Sequence, residues 1–208
     1  MAYDLEEQEQ LDEFKAWWKK NGKITINLVL AVLVAYAAWQ AYGYFQNKKA
    51  VEASELYQAL VVTELNKTAE IKTQSAKLMD SYSGTPYAGR AAVFAAKANF
   101  AADDDKSAKS QLEWAIKNAK EGAVKAIASL QLASVLFEEK DYEGAQKVLA
   151  AISDKGYEGL KASLQGDVFL AQGKQADAKK AFENALNHLD VQGKLHEYTQ
   201  QKLESLGA

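Results

Sequence analysis

The chain has 208 residues, 48% hydrophobic and 25% charged, a balance too apolar for a disordered polymer and ordinary for a folded one. Its formal net charge of −3 provides no basic field to hold a polyanion, which argues against nucleic acid as a partner. The absence of cysteine excludes disulfides, thiol nucleophiles, thiolate metal sites and lipid attachment to cysteine. Pro86 is the single proline, and Ala, Lys, Glu, Gln and Leu dominate outside one apolar stretch, so an all-α fold is expected.

The leader, residues 1–23, holds six acids (Asp4, Glu6, Glu7, Glu9, Asp12, Glu13) against four lysines (Lys15, Lys19, Lys20, Lys23). Residues 24–45, ITINLVLAVLVAYAAWQAYGYF, carry no charge. At ~1.5 Å per residue this stretch covers about 33 Å, against a hydrocarbon core of ~30 Å, so one transmembrane helix is predicted. Trp17, Trp18, Trp39, Tyr42 and Tyr44 flank it as interfacial aromatics do.

Two other readings compete. A buried core helix would also be apolar all round, but a charge-free run of this length beside clustered lysines fits a span better. Ala35-Tyr36-Ala37 resembles a signal-peptidase site, yet the apolar region before it is short and Trp39 to Phe45 would make a greasy mature start. Four lysines before the span outnumber Lys48 and Lys49 after it, so the N-terminus is expected in the cytoplasm and the remainder, residues 46–208, across the membrane.

Beyond Lys48 the periodicity predicts helices over roughly 48–66, 68–82, 86–102, 105–120, 123–139, 142–153, 157–172, 175–188 and 194–206. Connections this short imply antiparallel hairpins. The hairpins also repeat. EKDYEGA at 139–145, followed by Leu149 and Ile152, matches QGKQADA at 172–178, followed by Phe182 and Ala185, at an offset of 33. An earlier copy, with Ala96, Phe100, Ala108, Leu112 and Ala115, lies 37 residues before Ala133, Phe137, Ala145, Leu149 and Ile152.

The template has a physical reason. A small residue on the first helix (Ala96, Ala133, Gly166) and one on the second (Ala108, Ala145, Ala178) let the helices approach closely. Large residues (Phe100, Phe137, Leu170; Leu112, Leu149, Phe182) then fill the space against the next hairpin. This order, at a period near 34, predicts a tetratricopeptide-like right-handed solenoid of antiparallel hairpins, although the consensus Trp, Leu-Gly and Pro positions are mostly absent. Ser83 to Pro86 is the clearest break, with Pro86 in the first turn of the next helix, and 194–206 reads as a cap.

Chemistry is sparse. No phosphate-cradle, nucleophile-elbow or zinc-protease motif occurs. His188 and His196 lack metal-pair spacing, and Asp103-Asp104-Asp105 reads as a helix cap, so no catalytic residue, metal or cofactor is expected. If the first helix of each hairpin lines a concave face, Val93, Lys97, Ile127, Leu130, Ser134, Phe137, Leu160 and Asp167 are the expected contacts for a partner.

The leader YDLEEQEQLDEFKAWWKKNGK, the single span, and GYEGLKASLQGDVFLAQGKQADAKKAFENAL together resemble the YfgM-type ancillary subunits of the SecYEG translocon. That resemblance implies a type II inner-membrane protein of Gram-negative bacteria whose periplasmic domain meets translocon subunits, periplasmic chaperones and exported polypeptides. It also implies a link between the cytoplasmic part and stress-response regulation, and no catalytic motif. The alternative is a self-assembling envelope scaffold or a division-coordinating protein, which exposed Phe or Leu on a terminal hairpin would favour; oligomeric state is open.

Overall fold

The computed structural model describes residues 2–207, and side chains from Glu6 onward. Met1 and Ala208, the outer ends of the expected segments 1–23 and 46–208, lie outside the described residues, as does the side chain of Asp4. Among the described residues the chain forms nine α-helices: α1 Ala2–Val61, α2 Thr68–Ser81, α3 Pro86–Phe100, α4 Asp105–Asn118, α5 Gly122–Glu138, α6 Tyr142–Ala150, α7 Glu158–Ala171, α8 Gln175–Leu186 and α9 Lys194–Ser205. The chain divides into two units, Met1–Lys49 and Ala50–Ala208.

In the first unit the helix already begins within the leader, ahead of the expected span. Its Glu, Gln, Leu, Ala and Lys residues are strong helix formers, and no proline interrupts them. Between Ile24 and Phe45 only Thr25 and Gly43 are even half-covered; every other residue is exposed. A buried core helix is therefore not what this segment is.

The second unit is a stack of hairpins: the end of α1 with α2, then α3 with α4, α5 with α6, and α7 with α8, closed by α9. Each core cluster bridges one hairpin and the first helix of the next. Leu60, Ile71 and Leu78 pack with Ala91 and Ala95 of α3; Ala96, Ala108 and Leu112 with Ala128 and Leu132 of α5; Ala133, Ala145 and Leu149 with Val168 of α7. Such a core couples nearest neighbours only, as in other repeat stacks.

The repeat template is visible in the packing. Ala96, Ala133, Ala108, Ala145 and Ala178 are fully covered, Gly166 is buried, and Leu112, Leu149 and Phe182 fill the space beside them. Phe100 and Phe137 are half-covered members of their clusters, the latter 5.9 Å from the Tyr142 ring. Leu170, expected to pack, is instead exposed. The reason is the length of the cap: α9 meets α7 through Ser163 to Thr199 and Asp167 to Lys202, at spacings of 36 and 35 residues, so only its last residue, the small Ser205, stands level with Leu170.

The turns repeat as well. Asp103, Lys140 and Gly173 all have positive φ, at 58°, 64° and 74°. After each, the amide of Asp104, Asp141 or Lys174 donates to the carbonyl of Asn99, Leu136 or Phe169, the long bond of a Schellman turn. Asp104 and Asp141 then cap α4 and α6 by accepting from the amides of Ser107 and Gly144. The hydrogen bonds to Ser107 hold the Asp104 carboxyl below its ordinary range.

Some boundaries differ from expectation. The first hairpin helix ends at Val61 rather than near 66, where Thr63 closes a turn, its amide donating to the Leu60 carbonyl at 3.1 Å and its hydroxyl to the Ala59 carbonyl at 3.0 Å. α6 stops at Ala150, and a 3-10 turn over Lys155–Tyr157, capped by Asp154, leads into α7. Pro86 opens α3 as predicted, with the buried Thr85 donating its hydroxyl to the Tyr82 carbonyl at 2.8 Å.

Ion pairs tie one element to another. Arg90 donates twice to Glu121 at 2.7 and 2.6 Å, Lys109 reaches Glu139 at 2.6 Å, and Lys202 reaches Asp167 at 2.6 Å. The Arg90 guanidinium beside Glu121 lowers its carboxyl from the ordinary 4.5. A carboxyl depressed on folding stabilises only where the unfolded chain is also ionised, so this contribution is complete above pH ~5 and disappears as pH falls through the folded value.

Two outcomes follow from this packing. A Cβ on Gly166 would collide with the Phe182 ring, whereas the other hairpins set Ala against Leu at these positions. Gly166→Ala should destabilise the domain by about 1–2 kcal/mol, overpacking outweighing the helix-propensity gain, and adding Phe182→Leu should restore most of the loss in a double-mutant cycle by denaturant unfolding. Because the Arg90 and Glu121 side chains are 43% and 33% exposed, Glu121→Gln should cost only about 0.2–1 kcal/mol at pH 7. Unfolding curves taken from pH 7 to pH 3 should show that gap closing below the ordinary carboxyl value.

Candidate interaction groove

The first helices of successive hairpins lie side by side, α3 against α5 and α5 against α7. On α3 the residues Ala88, Ala91, Ala92, Ala95, Ala96 and Ala98 are buried, which leaves Arg90, Val93, Phe94 and Lys97 at spacings of three, four and seven on the remaining face. α5 presents Ala123, Val124, Ile127 and Gln131 in the same manner. With Tyr57 from the second-unit part of α1, these faces enclose a groove of about 420 Å³. Alanine at the crossing points brings the helices together, and the larger residues beside them line the space.

The polar groups of the groove differ in their engagement. Arg90 and Glu121 hold one another, and the hydrogen bonds keep the guanidinium still more firmly charged. Arg90 also lies over the Tyr87 ring at 5.9 Å, and Tyr87 in turn sits 5.7 Å from Tyr57. Burial pushes the Tyr57 phenol above its ordinary range. Lys97, in the last turn of α3, is exposed.

Of the residues expected on the concave face, Val93, Lys97 and Ile127 come together in this groove. The others stand elsewhere. Leu130 and Phe137 pack on the third core cluster. Ser134 turns its hydroxyl back to the Leu130 carbonyl at 3.0 Å, Leu160 is exposed on α7, and Asp167 is taken up by Lys202 of the cap. Reading one helix of each hairpin as a uniform face missed Tyr57, Arg90, Phe94, Glu121, Val124 and Gln131. The spacing of Arg90, Val93, Phe94 and Lys97 held that signal, whereas Tyr57 joins through tertiary packing.

Trp17, Trp18, Trp39, Tyr42 and Tyr44 are exposed along α1, and Phe14 stacks on Trp17 and Trp18 at 6.3 and 6.0 Å. His188 places Nδ1 2.9 Å from the Asn184 carbonyl at the end of α8.

Comparison with known proteins places this architecture. Residues 15–208 match the family model described as a tetratricopeptide repeat-like domain. An ancillary SecYEG translocon subunit of Neisseria gonorrhoeae is 31% identical over 208 residues, covering 99% of this chain and 100% of the relative. The proteins of the same name in Haemophilus influenzae and Escherichia coli are 27% and 26% identical, covering 89% and 96% of this chain and 91% and 96% of their own lengths. A family model over nearly all of the chain and an end-to-end relative agree with the hairpin stack described above: the chain belongs to the family of ancillary SecYEG translocon subunits and carries a tetratricopeptide repeat-like domain.

Proposed function

We propose that this protein is a membrane-tethered protein–protein interaction module that serves the SecYEG translocon as an ancillary subunit and performs no catalysis of its own. The observation that carries the reading is a charge-free helical stretch, 24–45, left uncovered in the same chain as a hairpin stack with an open apolar groove. Uncovered apolar surface of that extent requires a hydrocarbon surrounding, and an extended concave surface is what repeat stacks offer to polypeptides.

In this proposal residues 1–23 lie in the cytoplasm, 24–45 span the inner membrane, and 46–208 stand in the periplasm, with Trp17, Trp18, Trp39, Tyr42 and Tyr44 at the two interfaces. The groove residues Val93, Lys97 and Ile127 meet the partner: a translocon subunit, a periplasmic chaperone or an emerging exported chain. Self-assembly is a second reading, favoured by one observation: Val191, Leu195 and Tyr198 are exposed at 75%, 36% and 61% on and beside the terminal helix α9.

Photo-crosslinkers at positions 93 and 127 of the full-length protein in intact membranes should capture translocon subunits or exported chains; recovery of neither sinks the interaction reading. Carbonate should leave the protein in the membrane pellet, and protease added to spheroplasts should digest the repeats. Extraction by carbonate, or a protected C-terminal domain, refutes the topology. A single monomeric species of the detergent-solubilised protein in sedimentation excludes self-assembly.

A further inference from the structure

The groove between α3 and α5 is chemically asymmetric. Val93, Phe94, Val124 and Ile127 make an apolar floor, and about 420 Å³ is room for a few side chains rather than a flat contact. At one end the charge of Arg90 is already engaged by Glu121 through two hydrogen bonds of 2.7 and 2.6 Å. At Lys97 it is not: among the described residues no carboxylate stands within 4.0 Å of that ammonium. Once the paired charges cancel, the groove is an apolar trough with a net single positive charge at its rim.

We infer that this groove takes an extended segment of another polypeptide that sets one large apolar side chain on the floor and a carboxylate against Lys97. The inference rests on the interaction-module reading and adds the chemistry of the ligand. A basic segment would oppose Lys97 with like charge, and a purely apolar one would leave the ammonium without a charge-assisted partner. Tyr57 and Gln131 line the same groove with a phenol and an amide suited to the backbone of an extended chain. The four floor residues supply the apolar contact, and one side-chain charge supplies the discrimination.

The test uses the full-length protein in detergent micelles and three fluorescein-labelled peptides in a Gly/Ser background. One carries Trp followed by two Asp, the second has Lys in place of Asp, and the third has Ala in place of Trp. By anisotropy the acidic Trp peptide should bind about tenfold tighter than either control. Lys97→Glu should invert the order of the acidic and basic peptides, and Lys97→Gln should level it, with thermal unfolding unchanged in both. Equal affinity for the acidic and basic peptides, no binding of any peptide, or a preference indifferent to both Lys97 variants overturns the inference. So does Ile127→Glu altering sedimentation without altering peptide binding, which would give the groove to a second copy of the chain. Affinity isolation from mild-detergent membranes separates the two levels. Translocon components recovered without peptide preference defeat the ligand chemistry alone, and their absence from the wild-type isolate defeats the module reading.

Discussion

Close approach of two helices at a small residue is the contact on which the remainder of the repeat unit rests. Ala96 with Ala108 and Leu112, Ala133 with Ala145 and Leu149, and Gly166 against the Phe182 ring bring the later hairpins together. A side chain even one methyl larger at such a crossing must displace its neighbour, because protein interiors are packed as densely as organic crystals. The last hairpin shows the trade within one structure: Phe replaces Leu on the second helix, and the facing alanine has become Gly166. Volume is conserved across the crossing while its distribution shifts.

Alanine has a second consequence. A helix that buries mainly alanine has little side chain with which to fill the gap to its neighbour, so α3 and α5 meet along their buried faces and leave a trough between the larger residues flanking them. The groove is thus a by-product of the same packing rule that makes the stack. Charge ties the stack at two separate places: Arg90 to Glu121, at the groove, links α3 to the residue before α5, and Lys202 to Asp167, away from it, links the cap to α7. These pairs are partly exposed, so they set register between elements more than they add stability.

The two units answer to different solvents. From Ala50 onward the chain covers most of its apolar residues with its own hairpins, whereas Ile24 to Phe45 covers almost nothing. The same hydrophobic effect accounts for both: in one case water is excluded by neighbouring helices, and in the other it would be excluded by lipid. A protein built in this way carries a binding surface to a membrane without needing any reactive group, in keeping with the family to which the chain belongs.

Much of this was legible in the order of residues. Helix positions, the spans of the hairpins, the apolar stretch and the repeat of small and large positions all follow from periodicity and propensity, which are properties of a segment and its near neighbours. Boundaries slipped most at the end of the first hairpin helix and where a 3-10 turn intervenes before α7, and Leu170 broke the template because the cap ends beside it. The groove was legible in part. Val93, Lys97 and Ile127 could be placed on one face from spacing, but the capture of Asp167 by Lys202, the inward turn of Phe137 and the arrival of Tyr57 join residues from different helices. What the sequence alone determined was therefore the set of elements and which residues each could bury. Which polar groups remain available to a partner was decided only by tertiary structure, because an ion pair or a groove wall depends on distances between helices that no local pattern encodes.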